Sequence, residues 1–238
     1  MNDPRMSGQW TMPTAPSDSV ERVAGFLRAV YGWMCIGLGL TALVAFQVSN
    51  TPAIVSRLMS NQLLYVGLIL AELGLVFYLS ARVTRLAAET AAVLFVLYAA
   101  LNGVTLSLVV LAYTGQSVAD TFAVTAGMFG AMALFGSATK RSLAGVGQFM
   151  YMGLVGLVLA SLVGLFWHSD ALQFLVSGVG VLVFTGLAAW DAQRLKQMAV
   201  AAPEGQTRSL AIVGALSLYL DFINLFLSLL RFVGNRRD

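Results

Sequence analysis

The chain has 238 residues, of which 58% are hydrophobic and only 11% charged, and its mean hydropathy is +0.81. A soluble domain carries roughly 25% charged residues, so this composition cannot cover a water-facing surface and reads as an integral membrane protein. The formal charge of +3, from 14 Lys and Arg against 11 Asp and Glu, is small and falls mostly between apolar blocks, which argues against a nucleic-acid-binding protein.

Residues 1–25 are polar, contain Pro4, Pro13 and Pro16, and lack the apolar core of a signal peptide, so they read as a flexible cytoplasmic tail. Residues 26–238 read as one transmembrane domain. Seven apolar stretches follow at 29–49, 63–80, 88–113, 118–137, 148–167, 171–190 and 209–233. Each is near or above the ~17–25 residues that cross a ~30 Å hydrocarbon layer. The breaks between them are short, as at Asn50-Thr51-Pro52, Thr114-Gly115-Gln116, His168-Ser169-Asp170 and Pro203-Glu204-Gly205. Such connections make sequential helices antiparallel and leave no room for a separate soluble domain. Long apolar runs without period-2 alternation are a poor match to a membrane β-barrel. Cys35, inside an apolar run, reads as a small buried side chain, and His168, in a polar break, as a solvated one. No Cys or His cluster and no cofactor motif is present, so neither an enzyme nor a resident cofactor is expected.

Orientation follows from the basic residues. With the N-terminus inside, the inner segments hold Arg5, Arg22, Arg28, Arg82, Arg85, Lys140, Arg141, Arg194, Lys196 and Arg208, and the outer loops hold only Arg57. The C-terminus disagrees, because seven crossings place Arg231, Arg236 and Arg237 outside. A re-entrant last segment would remove the conflict. First helices usually dominate orientation, which favours seven spans.

Gly156, Ala160 and Gly164 share one face of the fifth span, and Gly178 and Gly186 recur in the sixth, a spacing that reads as close helix packing. Met128, Met132, Met150 and Met152 read as packing residues. Acidic groups at depth are different, since a carboxylate at the centre of a span costs ~2.5–3.5 kcal/mol even on lenient insertion scales. Glu72 lies halfway along the second span, with no Lys or Arg within a helical turn. It must face protein or water, or be protonated. In the last span Ser217, Asp221, Asn224 and Ser228 follow the spacing i, i+4, i+7, i+11 and form one polar stripe. Lipid would not tolerate that stripe, so the last helix is expected at the centre of the bundle, with the stripe turned toward a wet cavity or toward polar groups of its neighbours; Asn224 and Ser217, beside Asp221, are the expected ion-path residues. Asp191 closes the sixth span, where it could be a solvated charge paired with Arg194, or a partner of Asp221. Counting residues leaves the two aspartates ~10 Å apart in depth, which tilt or a longer sixth helix would reduce. Brought into contact, they could not easily both ionise, and a shared proton would make them a pH switch.

The run Ser217-Leu218-Tyr219-Leu220-Asp221-Phe222-Ile223-Asn224-Leu225-Phe226, continuing to Leu229-Leu230-Arg231, resembles the closing signature of the Bax inhibitor-1 family, also called the transmembrane Bax inhibitor motif family, which includes bacterial members. Also similar are Trp190-Asp191-Ala192-Gln193, the setting of Glu72, and Tyr98-Ala99-Ala100-Leu101-Asn102-Gly103. The resemblance covers nearly all of the chain beyond the first ~25 residues. It implies an all-α integral membrane protein of seven transmembrane helices, with the C-terminal helix central and enclosed by the other six. It implies a pH-sensitive calcium leak in which Asp191 and Asp221 sense protons and are the candidate calcium ligands. Arg82 takes the place of the closed-state latch, with Arg85 near enough to compete, and Glu72 lies on or near the ion path. Trp190 stands where many relatives carry Tyr, which removes a tyrosine hydroxyl from beside the aspartate.

Two carboxylates offer fewer oxygens than the ~6–8 that calcium prefers, so water or carbonyls must complete its shell, and binding is expected to be weak, as conduction requires. The implied partners are therefore the lipid bilayer, Ca2+ and H+, and the Ala/Gly/Val/Leu-rich composition leans toward a bacterial inner membrane. An intramembrane aspartyl protease also places two aspartates on adjacent helices, but Asp221 lacks the glycines of that pattern. The alternative function is a non-conducting regulator of a membrane-bound protease or survival complex, in which the carboxylates only hold the bundle together. A proton-coupled transporter finds little support, since no inverted repeat or paired mid-membrane helix break is evident.

Overall fold

The computed structural model describes residues 16–82, 86–167, 169–201 and 206–237. These form α1 (Pro16–Ser49), α2 (Pro52–Ser60), α3 (Gln62–Arg82), α4 (Ala88–Ala112), α5 (Gly115–Ala138), α6 (Ala144–Phe166), α7 (Asp170–Ala201) and α8 (Thr207–Val233). All of them except α2 are long and apolar enough to cross a membrane, so the seven expected spans are present.

Three elements differ from the sequence expectation. Helix α1 begins at Pro16, so part of the segment read as a tail is helical. Helix α7 continues past Trp190 to Ala201. Both extensions are amphipathic: Phe26 is buried ahead of the first apolar stretch in α1, and Leu195 and Ala199 are buried in α7, while Arg22, Arg28, Arg194 and Lys196 stay exposed. A search for uniformly apolar stretches does not register such a pattern. The third is α2, a short helix that begins with Pro52 in its first turn and buries only Leu58.

Helix α8 is the hub. In its most apolar stretch 72% of the residues are buried inside the protein, against 6% for α3 and 11% for α6. Helices α1, α4, α5 and α7 pack most extensively on it, α3 leans mainly on α4, and α6 mainly on α7. The expected central C-terminal helix is therefore present, with four helices forming its principal wall.

The same end of the bundle holds the start of α4 and the start of α8, where Ala88, Glu89, Thr207 and Arg208 line one cavity. At the other end the residues after α8 pair with the α4–α5 connection. Tyr113 and Arg236 form an antiparallel bridge, the Thr114 amide donates to the Asn235 carbonyl (3.1 Å), and the Arg237 amide to the Ala112 carbonyl (3.0 Å). Helix α8 thus runs the full length of the bundle beside α4. This favours a seventh crossing over a re-entrant segment and puts Arg231, Arg236 and Arg237 at the end opposite Arg194 and Lys196.

Between helices in lipid, close packing replaces the hydrophobic drive, so small residues decide where backbones meet. A Cβ at Gly136 would overlap the backbone of Ala189, which joins α5 to α7, and one at Gly147 would overlap the Trp190 ring, which joins α6 to α7. Gly178 and Gly186 pack as expected, against Phe232 and Met150. The fifth-span stripe does not: Gly156 has nothing within 4 Å of where a Cβ would stand, and Ala160 and Gly164 line a groove. Cys35, expected to be buried, faces outward. Of the methionines, Met128, Met132 and Met150 pack on the core and Met152 is exposed.

Replacing Gly136 by Ala forces α5 and α7 apart. The expected loss is ~1–3 kcal/mol, the range for overpacking, while Gly156→Ala is neutral or gains ~0.5–1 kcal/mol from helix propensity. Thermal unfolding of the two variants in detergent checks the contrast.

Candidate functional site

Helices α7 and α8 run antiparallel, and their register is set by small residues. Ser228 sits over Gly180, Phe232 over Gly178, and Leu195 over Gly214. Continuing that register places Asp191 opposite the turn from Ser217 to Asp221. The extension of α7 also removes most of the depth problem. At 1.5 Å per residue Asp191 lies ~15 Å from the last residue of α7, and Asp221 ~21 Å from the first of α8, an offset of about one turn.

The two carboxyl groups are close enough to act on each other across α7 and α8, and Ser217 lies beside Asp191. Both aspartates are buried, each 8% exposed. Asp191 Oδ1 and Asp221 Oδ2 have no hydrogen-bond partner among the described residues. An orphaned buried oxygen on each member of a facing pair is an arrangement completed by a proton or a cation. The nearby cation is Arg194, which acts on Asp191 by charge and lies over the Trp190 ring at 5.5 Å.

The segment Trp190-Asp191-Ala192-Gln193 explains itself in this geometry. Trp190 packs on Gly147 of α6, while Asp191 turns to α8. The Gln193 amide nitrogen donates to the Arg141 carbonyl (2.8 Å), and its oxygen accepts from the Leu143 amide (2.7 Å). One turn on, Lys196 Nζ donates to the Ser137 carbonyl (2.9 Å). Asp191 therefore sits on a helix clamped to the α5–α6 connection. Gln193, part of a recognised motif, had no role assigned from sequence, because its partners are backbone groups some fifty positions away in the chain.

Glu72 is in a different place and a different state. Thr105 donates to its Oε1 (2.9 Å) and the Asn102 amide to its Oε2 (3.2 Å), so both oxygens are occupied. The network continues through Asn102 Oδ1, which accepts from the Tyr219 hydroxyl (3.1 Å). That hydroxyl also meets Thr41 Oγ1 at 2.7 Å, and Thr41 Oγ1 lies 2.8 Å from the Ala99 carbonyl, so the two hydroxyl protons are shared among three acceptors. Four helices, α1, α3, α4 and α8, are joined by this chain of hydrogen bonds. Tyr219 and Asp221 are two residues apart, hence on opposite faces of α8. One helix carries both polar centres.

Arg82 is not brought to the aspartates. It is exposed on the last turn of α3, with its guanidinium 6.0 Å from the centre of the Tyr78 ring. Arg85 and His168 lie outside the described residues. The polar stripe of α8 divides between two settings. Ser217 and Asp221 belong to the carboxylate pair, while Asn224 and Ser228, half-buried, line a cavity of about 430 Å³ between α6, α7 and α8. The Asn224 amide donates to the Leu220 carbonyl (2.8 Å). Among the described residues no group of three or more His, Cys, Asp or Glu could hold a metal.

The Glu72 network predicts coupled mutations. Asn102→Leu leaves a carboxylate oxygen and a phenol short of a partner, and Tyr219→Phe removes the phenol. A double-mutant cycle on unfolding in detergent is expected to give a coupling of ~0.6–1.7 kcal/mol, the range for hydrogen bonds between membrane helices. Additive losses would mean that the two side chains act separately.

A family model described as "Inhibitor of apoptosis-promoting Bax1" matches residues 23–238. The chain is 51% identical over 215 residues to the "Inner membrane protein YbhL" of Escherichia coli K12, covering 89% of this chain and 92% of that one. It is 42% identical over 215 residues to an uncharacterized protein of Borreliella burgdorferi, covering 90% and 93%. It is 43% identical over 221 residues to an uncharacterized protein of Deinococcus radiodurans, covering 92% and 94%.

Proposed function

The chain belongs to the Bax inhibitor-1 family, and from that premise we propose that it is a pH-sensitive calcium leak channel of a bacterial inner membrane. Its N-terminus is cytoplasmic, and it is gated by protonation of the Asp191–Asp221 pair. The observation that carries this reading is the buried pair with one unpartnered oxygen on each carboxyl. The localisation draws on the inner-membrane name of the relative that shares half its residues with this chain.

At low pH one proton is held between the aspartates and their repulsion is relieved. When it leaves, the added negative charge sits between α7 and α8 and must be met by Arg194, by Arg82 moving in with α3, or by a passing cation. A calcium ion is drawn to the pair, keeps water on its free side, and is not held tightly enough to stay. Ser217 and Asn224 extend the polar surface along α8, and Glu72 forms a second acidic station off the axis of the pair. Nothing is bonded or broken in this process: it is passive conduction, with protons and calcium as the only small partners and no cofactor.

Calcium flux into liposomes holding the purified protein, followed against pH, tests the proposal. The wild type is expected to change by up to about tenfold per pH unit, the limit for one titrating proton. Asp221→Asn is expected to conduct with little pH dependence, and Arg82→Ala and Arg194→Ala to separate which guanidinium closes the path. Identical flux and pH profiles in all four proteins would remove the gating role. No flux from the pure wild type would turn the reading to a regulator that works through protein contacts.

A further inference from the structure

The geometry points to a binding site for an anionic glycerophospholipid in the groove between α4, α6, α7 and α8, with the lipid phosphate held by Arg231 and Arg236. This site is separate from the carboxylate pair and stands whether or not the protein conducts.

Helix α6 leans on α7 and leaves a gap toward α4. The gap is a groove of about 610 Å³, continuous through Ser161, Val176 and Arg231 with the 430 Å³ cavity beside Asn224. Its floor is made by the small residues Ala160 and Gly164 of α6 and by apolar side chains of α4 and α7. From Gly164 to Leu154 it follows α6 for ~15 Å, the length of most of an acyl chain. At its mouth stand two guanidiniums, and its lining contains no carboxylate among the described residues.

The mouth is a built feature. Residues after Gly234 are pinned at the α4–α5 connection by two backbone bonds and by the Asn235 amide, which donates to Ser117 Oγ of α5 at 3.0 Å. The pinning sets the Arg236 guanidinium 6.0 Å from the centre of the Tyr113 ring and within 3.5 Å of Gln173 Oε1. Phe166 and Trp167, 90% and 73% exposed at the end of α6, mark this level as the headgroup region, where exposed aromatics collect. Arginines at headgroup depth over an apolar groove suit a phosphate and its chain together: the fork of donors fits phosphate oxygens, and the groove takes the tail. The site also accounts for the basic residues that the charge rule places on the wrong side of the membrane. The single negative charge of a bound lipid phosphodiester offsets part of the positive charge of Arg231 and Arg236 that would otherwise face a cation leaving along the Asn224 side of α8.

Delipidated protein in neutral detergent, given phosphatidylglycerol, phosphatidylcholine or inorganic phosphate and weighed intact by native mass spectrometry, tests the site. One phosphatidylglycerol per chain is expected, with at least tenfold weaker retention of phosphatidylcholine and no retention of phosphate alone. Arg231→Gln with Arg236→Gln is expected to lose that preference, and Ser161→Phe, which fills the groove and keeps both arginines, to lose the lipid. Arg57→Gln, a basic residue of α2, is expected to bind as the wild type does. Equal retention of both lipids by the wild type, binding of free phosphate as strong as that of the lipid, or undiminished selectivity in the double variant would each overturn the assignment.

Discussion

Hydrocarbon offers no hydrogen bonds, so every polar atom carried into the membrane must find its partner within the protein. In this molecule that constraint falls chiefly on α8. Its Tyr219 and Asp221 point to opposite sides, and each side needs another helix to answer it. Tyr219 is met by Thr41 of α1 and Asn102 of α4, Asp221 by Asp191 of α7. The hub position of the C-terminal helix follows from this need more directly than from its apolar residues, which lipid could have solvated equally well.

The two polar centres solve the problem differently. Around Glu72 the donors are neutral, fixed and sufficient, and both carboxylate oxygens are bonded. A centre of this kind holds helices in place. Between Asp191 and Asp221 the count is short: two acceptors face each other, one serine assists, and one oxygen on each side is left over. The protein's own groups leave this centre incomplete, on the same helix whose other face Tyr219 ties to α1 and α4.

Much of this was legible in the residues. Seven spans follow from composition, the central helix from one polar stripe, and the importance of Glu72, Asp191 and Asp221 from the cost of burying charge. The contact between the aspartates was not, because it depends on a register set by Gly180 and Gly214 and on an amphipathic extension of α7 that average hydropathy does not register. Gln193 and Thr41 were missed for a related reason. Their partners are distant in sequence, and a lone polar residue in a span carries no pattern. The fifth-span glycines misled in the opposite direction, since a small-residue face that packs a helix and one that lines a groove look the same in sequence.

The ends of the bundle are also unlike. At the end that holds the start of α8, Lys196 spends a donor on the Ser137 carbonyl at the end of α5 and Gln193 one on the Arg141 carbonyl of the α5–α6 connection, so these two side chains brace the scaffold. At the other end the tail after Gly234 is held by backbone bonds and by the Asn235 amide on Ser117 Oγ, and Arg236 reaches Tyr113 and Gln173 at the edge of the groove instead of bracing helix carbonyls. A chain that gained nothing from those guanidiniums would not need to anchor them beside a groove, and the charge rule would have kept them on the far side of the membrane. The distribution of arginines therefore carries information of two kinds: which way the helices run, and where the surrounding lipid is itself a ligand.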